Sequence, residues 1–429
     1  MSYLDVSNGY PLSAQASDIP DSLTSSQAPK PIPSSTRLIS VPSSSGAQSA
    51  SGSIRIGCPT GGNTFLKNGS AYLKAKITVT TAGGAGNCFF GNATRSASSI
   101  IRMLTLQVGS QIVEQINDYG LVTHPQLLLH GASYGYYNLD SRVAEYTEGT
   151  ITTPVGLSVS LNVCIPLGLG LFQNSGKAIP LCLLNSPLML QVDLYPVAQA
   201  FQSGTATPTS YVVDDVQFVY ESISVDDSYV QALKAQMSAG QLYQIPFTQF
   251  QGISTANSGT LYYNIGLNQS SVKAVLFSLI SNANNVVANQ KHLQHDSFTQ
   301  MDLLKDGMLI NSFPLRTTDL ASQVYTEMQR CMGILQDATI TSATSNTTFS
   351  AYYSVDSAGV CAGSYLTDDF VAGYNLSRFS NEGLSMNGQP CQQLSLRLQG
   401  AGTAGTIYIT VISDAIMTID VNGVVQKII

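Results

Sequence analysis

Apolar and polar residues alternate with period two along most of the chain. In AYLKAKITVT (71–80), Leu73, Ala75, Ile77 and Val79 fall on one side, and Lys74, Lys76, Thr78 and Thr80 on the other. LMLQVDLY places Leu188, Leu190, Val192 and Leu194 on one face, and VQFVY (216–220), QQLSLRLQ (392–399) and TIYITVIS (406–413) alternate likewise. Such alternation predicts strands with one face on a core. Gly, Asn, Ser and Pro clusters separate the runs, as hairpins and loops require. Asn422-Gly423 is a tight-turn pair between two such runs.

Helical periodicity is confined to two stretches. DLASQVYTEMQRCMG (319–333) has Asp319 as N-cap, an apolar stripe of Leu320, Val324, Met328 and Met332, and Gly333 as stop. Ser322 stands where a capping box wants Glu or Gln, so only half of that signature is present. DDSYVQALKAQMSAG (226–240) has Asp226 or Asp227 as cap, Val230, Leu233 and Met237 on one side, and Gly240 as stop. The strand–helix rhythm of a parallel α/β fold is absent.

The pattern repeats. LQVGSQIVEQI (106–116) and LLKDGMLINSF (303–313) each read as two short strands around a glycine, Gly109 and Gly307, 198 residues apart. A helix-like stretch ending in glycine follows each, with Gly131 and Gly333 separated by 202 residues. Before the hairpins stand the strands 71–80 and VKAVLFSLIS (272–281). After a long connection come PLCLLNSPLMLQVDLY (180–195) and YVVDDVQFVYESISV (211–225) in one half, and CQQLSLRLQ (391–399) and GTIYITVISDAIMTIDV (405–421) in the other. The expected fold class is therefore all-β: two tandem eight-stranded jelly rolls with a few short helices in the connections. The expected divisions are a flexible Ser/Pro-rich arm over 1–53, a first jelly roll over 54–225, a helical connector over 226–243 and a second jelly roll over 244–429.

Composition narrows the function. Only 10% of the 429 residues are charged, against roughly 25% in an average soluble domain. Uncharged polar and apolar faces cost less to desolvate, which suits surfaces that end against other protein. The net charge is −7 and no basic cluster occurs, which argues against nucleic-acid binding. The seven cysteines are widely spaced, as expected of free thiols rather than of a metal site or disulfide framework. The start, MSYLDVSNGY, has no secretory pattern, and no run reaches the roughly 18 apolar residues of a membrane helix. The five N-x-[ST] sequons, at Asn68, Asn92, Asn268, Asn346 and Asn375, are therefore expected to be unused.

Chemical motifs are few. Gly131-Ala132-Ser133-Tyr134-Gly135 matches the nucleophile elbow G-x-S-x-G, with His292 and His295 downstream as candidate bases. An elbow requires a parallel sheet and a following helix, and YYNLDSRVAEY is a poor helix, so a loop after a short helix fits these residues better. His292 and His295 alone do not complete a metal site, and His124 and His130 flank a short apolar segment. The acidic pairs in VDDV (213–216) and SVDDSY (224–229) are too sparse for a calcium loop and fit strand ends and caps. TAGGAGN (81–87) matches no phosphate-binding glycine motif. No catalytic, cofactor-binding or metal-ligating residue, no cofactor and no enzymatic activity is expected.

In the order of elements in each half, the late strands of GKAIPLCLLNSPLMLQVDLYPV and VVDDVQFVYESISV, the short helix before the second half, and its length, the chain resembles the double jelly-roll major capsid proteins of the tailless-phage, adenovirus, Polinton-like and giant-virus lineage. The resemblance covers about 54–429. It implies a viral structural protein of the virion, assembled inside the host cell, whose homotrimers form pseudo-hexagonal tiles of an icosahedral dsDNA virus shell. It also implies partners: neighbouring capsomers, minor capsid proteins and, below the tile, a membrane face, with no sequence-specific nucleic acid. By position, the loops 132–158 and 334–375 would form towers, and the arm would tuck under neighbouring tiles. The alternatives are a β-rich receptor- or carbohydrate-binding fibre protein, which would display aromatic platforms, and a serine hydrolase built on Ser133. The chain has 21 Tyr but no Trp.

Overall fold

The computed structural model describes residues 34–82, 85–91, 97–122, 150–153, 158–173, 177–257, 262–281, 299–311, 313–316, 321–331, 371–377, 388–399 and 405–428. Besides shorter strands, among them a separate three-stranded sheet of Gly86–Phe90, Thr150–Thr153 and Phe201–Ser203, eight main strands form the first half: β1 (Ser34–Pro42), β2 (Ser53–Cys58), β3 (Tyr72–Ala82), β4 (Ile101–Val108), β5 (Gln111–Asn117), β6 (Ser158–Pro166), β7 (Leu188–Leu194) and β8 (Thr207–Val225). They pair in two antiparallel sheets, β1-β8-β3-β6 and β2-β7-β4-β5. The predicted faces hold: Leu73, Ala75, Ile77 and Val79 are buried, while Lys74 and Lys76 are exposed. On the outer face the hydroxyls of Thr78 and Ser160 (2.9 Å) and of Thr80 and Ser158 (2.7 Å) pair across β3 and β6.

The main strands of the second half are β9 (Tyr243–Asn257), β10 (Tyr262–Ser281), β11 (Gln300–Lys305), β12 (Met308–Leu309), β13 (Ala372–Asn375), β14 (Gln389–Gln399), β15 (Gly405–Ile419) and β16 (Val425–Ile428), and the two-residue strand Leu315–Arg316 pairs with β11. Its strand β10 is long enough to serve both sheets. Residues 262–272 pair with β14, residues 272–281 pair with β15, and register shifts around Gln269 and Val272 turn the strand between them. The sheets are β9-β15-β10-β13 and β10-β14-β11-β12. With the two ends of β10 counted as second and third strands, both halves have the same order: first–eighth–third–sixth on one sheet, second–seventh–fourth–fifth on the other. Among the described residues no strand pairing joins the halves. Each half is therefore an eight-stranded jelly roll.

The far end of the eighth strand is covered in both halves, from different places in the chain. Thr64–Leu66, between β2 and β3, pairs with residues 222–224 of β8. The last strand, β16, pairs with residues 416–419 of β15. The turn into β16 is held by the Asp420 carboxylate, which accepts from the N–H groups of Asn422 (2.9 Å) and Val424 (2.8 Å).

The two glycine hairpins stand at matching points but use different turns. Gly109 alone takes a positive φ (59°) in the first, whereas Asp306 (49°) and Gly307 (82°) both do in the second. These are the signatures of type II′ and type I′ loops, whose twist matches the flanking strands.

One expectation is corrected, and two are given their bounds. Of the residues read by composition as an arm, 34–42 pair with the chain's own β8 from Ser34↔Val225 to Pro42↔Gln217, and Gln48 and Ser49 pair with it at Val213 and Val212. This nine-residue ladder and the partial burial of Ile39 and Val41 against the core order a segment too polar to form a core itself. The first unit therefore includes β1, which holds the place of β9 in the second. In the stretch 180–195, the late strand is Leu188–Leu194; Pro180 belongs to a two-residue strand, Ile179–Pro180, paired with Leu66 and Phe65, and turns and bends lead from it to Pro187. The helix expected over 319–333 is described as α2 (Ala321–Cys331), with Val324 and Met328 buried and the helix packed on β13; the proposed cap Asp319, the stripe residues Leu320 and Met332 and the stop Gly333 lie outside the described residues.

Between the jelly rolls runs α1 (Asp227–Ser238). Asp226 caps it by accepting from Ser228 N–H at 3.0 Å, and Val230 and Met237 bury its inner face. Among the described residues no helix is long and apolar enough to cross a membrane.

Candidate functional site

The site that the fold singles out is the joint between the two jelly rolls. A single hydrophobic core runs through both. On the first unit the joint is formed by β5, the turn after it and the one-turn helix Gly170–Gln173. On the second it is formed by β9 and β16.

Two close backbone approaches fix the contact. A Cβ on Gly170 would come within 1.6 Å of the Thr248 carbonyl oxygen. One on Gly252 would lie 2.1 Å from the Asn117 carbonyl oxygen and 2.7 Å from a Val122 methyl. Glycine at these two positions lets the units meet backbone to backbone.

Between these approaches lies Glu114, 1% exposed. Its Oε1 accepts from Gly170 N–H (3.0 Å) and from Phe250 N–H across the joint (3.4 Å), and its Oε2 accepts from Leu171 N–H (3.2 Å). Burial pushes the carboxyl up to about 7, against the opposing pull of these N–H groups and of the Lys427 charge. Burial in turn lowers the Lys427 ammonium. Sequence reading missed Glu114. A signal was present, since it is the one charged residue in the run VGSQIVEQI, but a register shift in the β4–β5 ladder decides that it sits opposite buried Leu106.

Lys177 ties the rim, donating to the Gln244 carbonyl at 3.2 Å and standing 5.6 Å over the Tyr243 ring, while Tyr243 Oη–H donates to the Ala178 carbonyl at 3.4 Å. A small polar cavity of about 240 Å³ opens at the same joint, with Arg102, Asp118 and Tyr195 from the first unit and Ser254 and Tyr408 from the second. Tyr195 Oη–H donates to Asp118 Oδ1 at 2.7 Å.

The motifs weighed from the sequence do not gather here. Ser133 with its G-x-S-x-G frame, His124, His130, His292 and His295 lie outside the described residues, as do nearly all of the two tower-loop candidates and the sequons at Asn92 and Asn346. Asp214 and Asp215 form a bulge in β8. Asp215 has φ 48°, its N–H bonds the Asp214 carboxylate at 2.8 Å, and its own carboxylate accepts from Gln217 Nε2 at 2.8 Å. Six of the seven cysteines are described, all as free thiols. Among the described residues no group of three His, Cys, Asp or Glu could hold a metal ion. The joint thus holds the two sandwiches together by close packing and by backbone hydrogen bonds to one carboxylate.

No family model matches the sequence, and no curated protein matches it in sequence. Solved structures match the fold over nearly its whole length. PBCV-1 VP54, in a structure fitted into a reconstruction of the virophage Sputnik, gives a TM-score of 0.57 at 12% identity, over 94% of this chain and 98% of that one. The Faustovirus major capsid protein gives 0.56 at 8% identity, over 97% and 96% of the two chains. The mavirus major capsid protein gives 0.52 at 12% identity, over 96% and 94%. The chain has the double jelly-roll fold of these viral major capsid proteins.

Proposed function

We propose that the chain is the major capsid protein of an icosahedral dsDNA virus, a structural protein of the virion with no catalytic role. The observation that carries this reading is the repetition of one eight-strand order in both halves of a single chain. Two like units per chain let three chains present six like sides, a pseudo-hexagonal homotrimer that can tile a shell with neighbouring capsomers and minor capsid proteins. The scarcity of charge supports faces that end buried against other protein. The units in this reading are 34–225 and 243–428, with the helical connector between them. The experiment is the mass of the purified protein by light scattering, followed by negative-stain images. Trimers with hexagonal outline support the proposal, and a monomer at high concentration overturns it.

A further inference from the structure

The joint inside the chain is head-to-tail. The β5 side of the first jelly roll covers the outer edge of the first strand of the second, since Phe250 N–H, on the side of β9 away from β15, is taken by Glu114. Because the two units share one strand order, each has both kinds of surface. Among the described residues one of each is left uncovered: the edge of β1 on the first unit, and the β12 side of the second.

Both carry what such a contact uses. The edge of β1 away from β8 has no strand partner among the described residues. Its Leu38 is 65% exposed and Arg37 is the one charged residue of the strand. An open edge of nine residues with an exposed leucine is a surface for association. On the second unit the ladders define the equivalent of Glu114. In the first hairpin Gln107 pairs with Ile112 and Leu104 with Ile116. In the second Leu304 pairs with Leu309 and Met301 with Leu315. Ile116 and Leu315 are both fully buried, as equivalent positions should be. Phe313 thus falls in the stretch that takes the place of Val113–Gln115. It is 47% exposed, and Met308 and Leu309 beside it are exposed too.

We propose that the face of the second jelly roll around Phe313 receives the outer edge of β1 from a second copy of this chain, repeating between copies the contact that Glu114 and Asn117 make with β9 within one. The inference rests on the capsid reading and adds to it which surfaces meet. A head-to-tail contact propagates until it closes, and closure at three chains gives a ring of six jelly rolls in which every edge of this kind is covered.

The test uses the full chain with Leu38→Glu or Phe313→Glu, each checked for β-sheet circular dichroism equal to the unaltered protein. Each variant alone should drop from three chains to one by native mass spectrometry. A 1:1 mixture should give a dimer holding one chain of each kind, because only one intact pairing remains and a third chain cannot join. If either variant remains trimeric, or the mixture stays monomeric, this inference fails and the capsid reading stands. If the unaltered protein is itself monomeric, the capsid reading fails first. Should a glutamate variant lose its β-sheet signal, Leu38→Ser and Phe313→Ser replace them with the same outcomes.

Discussion

Glu114 of the first jelly roll accepts a hydrogen bond from the backbone N–H of Phe250 in the second, at 3.4 Å. It is a buried carboxylate shared by two units, and its protonation bears on how firmly they hold. Burial raises the native carboxyl from 4.5 to about 7, so the native state binds this proton more tightly than the unfolded chain does. Stability from this group is present in full below about 4.5 and is lost as pH rises through about 7, a change on the order of 3 kcal/mol. Glu114→Gln should flatten that stretch of the stability–pH curve. At pH 8 it should equal or exceed the unaltered protein. At pH 4.5 it should fall below it by about 1 kcal/mol, because its amide cannot accept from Leu171 N–H. Thermal melts from pH 4 to 8 decide this, and parallel curves for the two proteins would refute it.

Gly252→Ala should loosen the joint, since its Cβ would meet the Asn117 carbonyl at 2.1 Å. Overpacking of this kind costs about 1–3 kcal/mol. Gly266→Ala, where nothing lies within 4 Å, should stay within about 0.5 kcal/mol of the unaltered protein. Urea unfolding of both variants is the measurement.

Leu190 pairs with Leu106 on the first unit and Leu396 with Leu303 on the second, and all four are buried. Leu190→Ala and Leu396→Ala should each cost about 2–5 kcal/mol. Because one core runs through both units, both variants should lower the midpoint of the same calorimetric transition. Two separately shifted transitions would show that the units unfold independently.

Arg397 Nη2 lies 2.6 Å from Asp302 Oδ2, and that carboxylate is nearly inaccessible. Arg397→Met would leave Asp302, among the described residues, with the Gln300 amide at 2.8 Å as its remaining side-chain partner, and should destabilise by about 3 kcal/mol or more. Asp302→Asn, which keeps the shape and removes the charge, should cost less, and denaturant unfolding gives the order of the two.

Burial pushes Cys58 and Cys88 up to about 12 and Cys391 to about 11, whereas Cys164 is exposed on β6. Iodoacetamide at pH 8 should therefore alkylate Cys164 before these three, by roughly tenfold or more in rate. Peptide mass spectrometry of a time course reads this directly.

Much of the architecture is legible in the chain because period two is a local property. Leu73 to Val79, Leu188 to Leu194 and Leu394 to Leu398 show their inward faces without knowledge of what they face. Gly109 and Gly307 show their hairpins because few other residues take a positive φ at a tight turn. β1 was not legible, since Ser34–Pro42 is polar and only its ladder to β8 orders it. Glu114 was not legible as a joint residue, because its partners are backbone N–H groups of residues 56, 57 and 136 positions away.

The sequence by itself determined the alternating strands, the two glycine hairpins and their duplication, since alternation and turn chemistry act between near neighbours. The tertiary structure alone decided that β10 serves two sheets, that β16 takes the role Thr64–Leu66 plays in the first unit, and that Gly170 and Gly252 meet backbones of the opposite unit. These depend on which distant segments share an edge, and backbone groups that do not vary with residue type leave no mark in the order of side chains.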